Sequence, residues 1–356
     1  MSFSSTVTRS WNENRLMSAL LELTYACNLD CVFCYNDLAL RGTKLSFEQY
    51  RALLDGLASM NVLHVSLSGG EPLAHPRFFD IGAHARALGF VVRIKSSGHA
   101  IHPAIAQRIR REIDPFVVEV SMHGATAEVH DRQTRVPGSF ERLVRHIEGM
   151  KEAGLRVQVN GVLTRWNEHE VEKLLDLGEA LDVRMQIDPD VKPKDDGDRS
   201  PLALEATPAG QIRYAAALRA RSSTTADGGT RLDGAVMQAA AKHGGTAKHC
   251  GAGSNTVAVD PYGNVLPCVQ WRVPVGNLHE RTITEIWSES RPLERVRETV
   301  SEVHERLQSL GDAGAAARFC PGAAHTHDGD PLAIYPAAER RIQNSARARV
   351  RLAVVS

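Results

Sequence analysis

Cys27-Asn-Leu-Asp-Cys31-Val-Phe-Cys34 puts three thiols within eight residues, just after the mostly apolar run Leu20 to Thr24. Three thiolates at this spacing can wrap one corner of a cuboidal iron–sulfur cluster, whose usual ligands are cysteines. Three ligands leave one of four irons without protein coordination. An open metal position is where a catalyst binds substrate or cosubstrate, so the triad points to chemistry rather than to a structural clip. Zinc is the competing metal, and it would want a fourth Cys or His nearby, commonly in paired C-x2-4-C units. The nearest His, His64, lies beyond a predicted helix. Three unrelated core thiols have no reason to cluster at this spacing.

The chain has 356 residues, enough for one large domain or two ordinary ones. At 43% hydrophobic it can bury a sizeable core. Its 42 basic and 42 acidic side chains cancel, which argues against a nonspecific nucleic-acid binder. No run approaches the ~18 apolar residues of a membrane span. Met1-Ser-Phe-Ser-Ser lacks the basic and apolar regions of a signal peptide. A cytoplasmic location is expected, where six Cys favour metal or redox roles over disulfides. They fall three and three: Cys27, Cys31 and Cys34, then Cys250, Cys268 and Cys320. The division suggests two metal sites in two modules.

Six strand-like runs alternate with helical ones, near residues 20, 62, 90, 116, 156 and 183. That alternation predicts parallel βα units, too few for a closed eight-stranded barrel. Phe47 to Ser59 reads as a helix with Ser46 as N-cap, and Gly138-Ser139 reads as the turn and N-cap of a helix from Phe140. Pro208 to Arg221 reads as a helix capped by Thr207. Ser222 to Gly229 reads as a loop or lid. The second strand runs into Ser68-Gly69-Gly70-Glu71-Pro72, where two glycines allow a close backbone approach. Taken alone, that segment is an ordinary strand-to-helix turn.

The spacing C-x3-C-x2-C, with an aromatic Phe33 before the last Cys, resembles the radical S-adenosylmethionine (SAM) enzymes. Ser68 to Pro72 resembles that family's GGEP motif. The resemblance implies a [4Fe–4S] cluster on Cys27, Cys31 and Cys34 whose open iron chelates the amino and carboxylate groups of SAM. One electron then splits the sulfonium C–S bond, and a 5′-deoxyadenosyl radical takes a hydrogen atom from the substrate. It implies further cofactor-binding positions at Phe33, Gly69, Gly70, Glu71, Pro72, Ser97, Ser121, Arg135 and Asn160. Glu71 suits an ammonium and Arg135 a carboxylate by charge and shape. Each also has a plainer reading: Ser97 in a polar turn, Asn160 at a strand end, Arg135 in solvent with Arg132 as a competitor. Asp188 and Asp190, at the rim of the last strand, are candidates for substrate binding or proton transfer, or else loop-solvation residues. The implied fold is α/β, a partial (β/α)6 TIM-like barrel with a small C-terminal α+β auxiliary-cluster domain.

Cys250 and Cys268 flank Asp260-Pro-Tyr-Gly263-Asn264, whose Pro and Gly punctuate a hairpin that could bring both thiols to one end. This C-x12-G-x4-C spacing resembles the opening of the SPASM and twitch auxiliary-cluster domains. Cys320 supplies a third thiol. Full SPASM domains carry seven cysteines and twitch domains typically four, so three imply at most one auxiliary iron–sulfur cluster, a [4Fe–4S] centre. Its fourth ligand could be a non-Cys side chain, with His249, His325 and His327 near in sequence, or water or substrate. A zinc-binding β-domain is the alternative for this half.

The expected boundaries are an N-terminal segment 1–18, a barrel 19–205, a linker 206–245, an auxiliary domain 246–335 and a basic tail 336–356. The expected activity is radical modification of a ribosomally made peptide: a crosslink, thioether, epimerisation or oxidative decarboxylation. The implied partners are a peptide substrate, a separate leader-binding protein and a flavodoxin- or ferredoxin-type electron donor. A small-molecule dehydrogenase is the alternative, and a non-catalytic iron–sulfur scaffold or sensor is the alternative of another class.

Overall fold

The computed structural model describes residues 3–222, 247–311, 314 and 317–343. The expected loop at 223–229 and the end of the basic tail beyond 343 lie outside the described residues. The chain divides into two compact bodies: Ser18–Gly229 with Val259–Gly263, and Met1–Met17, Thr230–Ala258 and Asn264–Ser356.

Helix α1 (Phe3–Asn12) belongs to the second body. The first body holds strands β1 (Ser18–Glu22), β2 (His64–Ser68), β3 (Val91–Ser96), β4 (Val117–Ser121), β5 (Val157–Val162) and β6 (Arg184–Asp188). Its helices are α2 (Phe47–Ser59), α3 (Phe78–Ala87), α4 (Pro103–Glu112), α5 (Ala127–Thr134), α6 (Ser139–Glu152), α7 (Val171–Ala180) and α8 (Pro208–Ser222). Each strand pairs in parallel with the next. The order never reverses, and right-handed crossovers then put the helices on one face of the sheet. Six such units make the open, partial barrel that the sequence implied.

The two faces of this sheet differ in chemistry. Leu21, Leu67, Val92, Ile94, Val118, Val120 and Val159 are buried on one face, and Leu54, Ile81, Ile109, Leu143 and Ile147 of the helices are buried as well. Neighbours in register share a face. On the other face they read Ser66, Arg93 and Lys95, Glu119, Gln158 and Asn160, then Gln186. A parallel sheet covered on both sides reads as continuous apolar strands, and this one alternates. Its inner face is therefore largely polar, though it also carries Leu20, Val91 and the buried Val117. Strand β6 ends the parallel series, and the Tyr214 hydroxyl of α8 donates to the Ile187 carbonyl at 2.8 Å.

The second body contains β7 (Thr256–Val259), with its last residue assigned to the first body, β8 (Asn264–Leu266) and β9 (Gly276–Asn277). It also contains α9 (Ile283–Glu289), α10 (Arg291–Ser309) and α11 (Pro321–Asp328). The Asp260–Asn264 turn forms as expected: the Gly263 N–H donates to the Asp260 carbonyl at 3.1 Å, and Gly263 takes a φ of +83°. The N-terminal segment is mostly helical. Its α1 buries Trp11, and Lys248 donates to the Trp11 carbonyl at 2.8 Å.

Candidate active site

The segment from Thr24 to Cys34 leaves β1 and is held on two sides within the first body. On one side the Ser68–Glu71 turn runs against it. The Leu23 N–H donates to the Ser68 carbonyl (2.9 Å), the Gly70 N–H to Thr24 (2.6 Å) and the Glu71 N–H to Ala26 (2.9 Å). The glycines are needed here. A Cβ on Gly69 would lie 2.3 Å from the Thr24 carbonyl oxygen, and one on Gly70 2.7 Å from those of Tyr25 and Ala26. The close approach the sequence suggested is thus made, at least in part, to the chain's own cysteine loop.

On the other side the end of α5 clamps the loop. The Asp30 N–H donates to the Thr134 carbonyl (3.1 Å), and the Val32 N–H donates to that of Gln133 (3.0 Å). Arg135, in a left-handed conformation at φ +57°, pairs with Asp30 at 3.2 Å. Gln133 is fully buried, donates to the His123 carbonyl and accepts from Thr164 Oγ1 at 2.8 Å. Arg132, the competitor for a carboxylate, lies over the Trp166 ring at 4.0 Å.

Glu71 is buried and ties the turn to the end of β3. It accepts from Ser96 Oγ (2.9 Å), Ser97 N–H (2.8 Å), Ser97 Oγ (2.7 Å) and Leu73 N–H (3.2 Å). Burial pushes its carboxyl pKa up against the pull of those donors. Ser97 Oγ also meets the Asn28 amide at 3.0 Å, reaching back into the cysteine loop. One serine proton cannot serve two acceptors, so the Asn28 orientation that donates its amide N–H satisfies both groups.

Cys27, Cys31 and Cys34 are free thiols. Burial, then the charges of Cys34 and Cys27, push the Cys31 pKa up to about 12. Phe33 meets the His123 ring edge-on, with centroids 4.7 Å apart. His123 stacks on His130 at 6.0 Å. Burial holds both rings neutral, at about 3 and about 4. His123 Nδ1 and His130 Nε2 have no hydrogen-bond partner among the described residues.

Ser121 ends β4 and is the register partner of Asn160, which lies within β5, two residues before its end, rather than at the strand end expected. Asn160 donates to Glu119 Oε2 at 2.8 Å. Asp188 accepts from the Asp190 N–H at 3.0 Å, and Lys192 Nζ lies 3.8 and 3.5 Å from their carboxylates. Glu119, Arg93 and Lys95 form a charged group that the motif reading did not single out. The available signal was polar alternation in Val-Val-Arg-Ile-Lys and Val-Val-Glu-Val-Ser.

In the second body Cys250, Cys268 and Cys320 are also free. Burial pushes Cys250 up to about 12 and raises Cys268 as well, and Cys320 adds to both. Cys320 caps α11, accepting from the Ala323 N–H at 3.4 Å. The three histidines near in sequence are otherwise engaged at two positions: His249 Nε2 meets the Phe319 carbonyl at 2.7 Å, and His327 stacks on Tyr335. Among the described residues no group of three His, Cys, Asp or Glu has closed to metal-binding geometry.

Residues 21–178 match the Radical SAM superfamily, and residues 250–309 match the SPASM iron–sulfur cluster-binding domain. The mycofactocin maturase MftC of Mycobacterium ulcerans (strain Agy99) is 30% identical over 322 residues, covering 87% of this chain and 84% of the relative. The chain belongs to the radical SAM superfamily. A PqqA peptide cyclase of Streptomyces rochei is 30% identical over 327 residues, covering 89% and 88%. The solved structure of native anSMEcpe with bound AdoMet superposes with a TM-score of 0.69 at 19% identity, covering 94% of this chain and 97% of that one, a likeness of fold. The chain is thus a radical SAM enzyme with a SPASM domain, and its cofactors are a [4Fe–4S] cluster, SAM and an auxiliary iron–sulfur centre. No described helix is long and apolar enough to cross a membrane.

Proposed function

We propose that this radical SAM enzyme matures a ribosomally made peptide. In this reading Cys27, Cys31 and Cys34 hold the SAM-binding cluster, and Cys250, Cys268 and Cys320 hold one auxiliary [4Fe–4S] cluster. The observation that carries it is the joining of three segments into one hydrogen-bonded unit: the cysteine loop, the Ser68–Glu71 turn and the end of β3. The donor sets fit iron. Thiols that raise one another's pKa become thiolates only beside a cation, and each set would receive one with its cluster. The unsatisfied His123 Nδ1 beside Phe33 is a buried polar atom that a bound ligand would satisfy. When bound, the cluster and SAM supply one-electron cleavage of a C–S bond and hydrogen-atom abstraction.

The chain's own side chains bind and orient. Gly69, Gly70 and Pro72 set the turn, and Phe33 and Ser97 border the cofactor. The Glu71 carboxylate already has four donors for roughly four lone-pair sites. An ammonium reaches it by replacing a serine hydroxyl, which can rotate away. Ser121, Asn160 and Arg135 offer polar contacts around the rim, and Asp188 or Asp190 accepts the proton that an oxidation releases. A peptide substrate is supported by the relatives named as a maturase and a peptide cyclase. A separate leader-binding protein and a flavodoxin- or ferredoxin-type donor complete the system. Six free cysteines suit a reducing, cytoplasmic setting.

The test is anaerobic reconstitution with iron and sulfide, reduction with dithionite, and assay of 5′-deoxyadenosine from SAM. A peptide encoded beside this chain should then change mass in a SAM-dependent way. Absence of 5′-deoxyadenosine from cluster-loaded protein would overturn the cofactor assignment. Release without any mass change in the peptide would overturn the substrate assignment.

A further inference from the structure

We infer that Lys95, steered by Arg93 and held by Glu119, forms a carboxylate-recognition site on the inner face of the barrel, so that the substrate is acidic where it meets β3. This deepens the peptide reading and rests on it.

Lys95 sits one residue before Ser96, whose hydroxyl binds Glu71. Strand residues alternate faces, so Ser96 points to the helices while Lys95 points to the polar face. Lys95 thus lies on the inner face, one residue before the strand end that carries the Glu71 contact. Lys95 Nζ lies 2.5 Å from Glu119 Oε2, and Arg93 Nε lies 2.7 Å from Oε1. Asn160 closes the group from β5 at 2.8 Å.

The group is asymmetric. The Glu119 side chain is 3% exposed, that of Arg93 19% and that of Lys95 36%. Glu22, the other carboxylate of this face near β3, is fully buried, with the Tyr25 hydroxyl on it at 3.0 Å. The negative ends therefore lie inside and the ammonium is presented outward. A group arriving on this face meets positive charge first. An ammonium has three N–H donors, and Glu119 occupies one direction, so a carboxylate can take another without breaking the existing pair. The amides of Asn160, Gln158 and Gln186 continue the polar group from Glu119 over β5 and β6, Asn160 donating to Glu119 and Gln158 to Asn160 and Gln186.

The test uses the full-length chain, reconstituted anaerobically with iron, sulfide and SAM. The probes are three pools of randomised N-acetylated hexapeptides. One has a free C-terminal carboxylate and no Asp or Glu. The second is amidated and carries one Asp or Glu. The third is amidated and neutral. Capture is read by size exclusion and mass spectrometry. At least one acidic pool should be enriched about tenfold or more over the neutral pool, as a charge-assisted hydrogen bond allows, and which one distinguishes a terminal from a side-chain carboxylate. Lys95→Met should remove that enrichment and Lys95→Arg should restore most of it. Should Lys95→Met not fold, Lys95→Gln with Glu119→Gln removes both charges and keeps hydrogen bonding, and it should lose the selectivity too. Equal capture of all pools, no capture of any, or enrichment that survives loss of the Lys95 charge overturns the inference. Release of 5′-deoxyadenosine by the unmodified chain, measured in parallel, reports on the radical SAM assignment alone.

Discussion

Glu119 is a carboxylate kept ionised where burial alone would neutralise it. Burial raises its pKa, but the adjacent Lys95 and Arg93 charges outweigh that, and the net shift is downward. Glu119→Gln removes the buried charge that Lys95 and Arg93 share and should cost about 3 kcal/mol at neutral pH. The sign follows from linkage. A depressed carboxyl pKa contributes stability above its ordinary value, near ~4.3, and loses it as pH falls through the folded value. Urea unfolding should therefore show a gap between the two proteins that is flat from pH ~8 to ~5 and closes only in stronger acid. A gap that persists unchanged in acid would show that charge is not its source. At this scale the motif residues were legible because their spacing is local. Glu119 was not, because its meaning depends on a neighbour 24 residues earlier in sequence, directly opposite it on the adjacent strand. The same holds for Glu71: its residue type suggested an ammonium partner, and only the fold reveals four donors from Leu73, Ser96 and Ser97 around it.

Among elements, the strands were read nearly to their ends because apolar alternation is a strong signal. Strands Val117–Ser121 and Val157–Val162 begin within a residue of the positions expected, 116 and 156. The expected N-cap at Ser46 is present, and Gln49 completes a capping box with it. Helices α4 and α5 were missed. Helix α5 has little apolar periodicity, and its role is tertiary. Its Asp131 carboxylate accepts from the Gly138 N–H (2.6 Å) and the Phe140 N–H (2.8 Å), so it caps α6, where Ser139 was expected to do so. Ser139 instead donates its hydroxyl to Asp131 at 2.7 Å. Gln133→Ala removes two buried side-chain hydrogen bonds from the clamp on the cysteine loop. It should destabilise the apo protein by about 1–3 kcal/mol and lower iron uptake during reconstitution. Gly69→Ala forces a Cβ into the Thr24 carbonyl at φ +139° and should cost at least about 3 kcal/mol. Both are read by denaturant unfolding together with iron content. A Gly69→Ala protein with normal stability would show that the turn can leave the loop without penalty.

For the whole molecule, two triads of cysteines in two compact bodies make a prediction about iron that no single residue makes. The division was legible as two groups over 200 residues apart. What the sequence did not suggest is that residues 1–17 belong with the C-terminal body. That depends on long-range contacts: Lys248 donates to the Trp11 carbonyl and to Asn14, and Trp287 donates to the Asn14 carbonyl at 2.9 Å. If each triad holds its own cluster, changing Cys27, Cys31 and Cys34 all to Ala should leave about four irons per chain, bound in the second body and blind to SAM. Changing Cys250, Cys268 and Cys320 instead should leave about the same number, with a spectrum that shifts when SAM is added. Anaerobic iron and sulfide analysis with paramagnetic resonance of the reduced proteins reads both. The asymmetry in SAM response is the discriminating quantity, because two equivalent clusters would each respond or neither would. Loss of nearly all iron from the first variant, with the chain still folded, would make the C-terminal thiols a zinc or purely structural set. It would also remove the auxiliary centre as an acceptor for the substrate's electron, and the net oxidation would then need an acceptor from outside the chain.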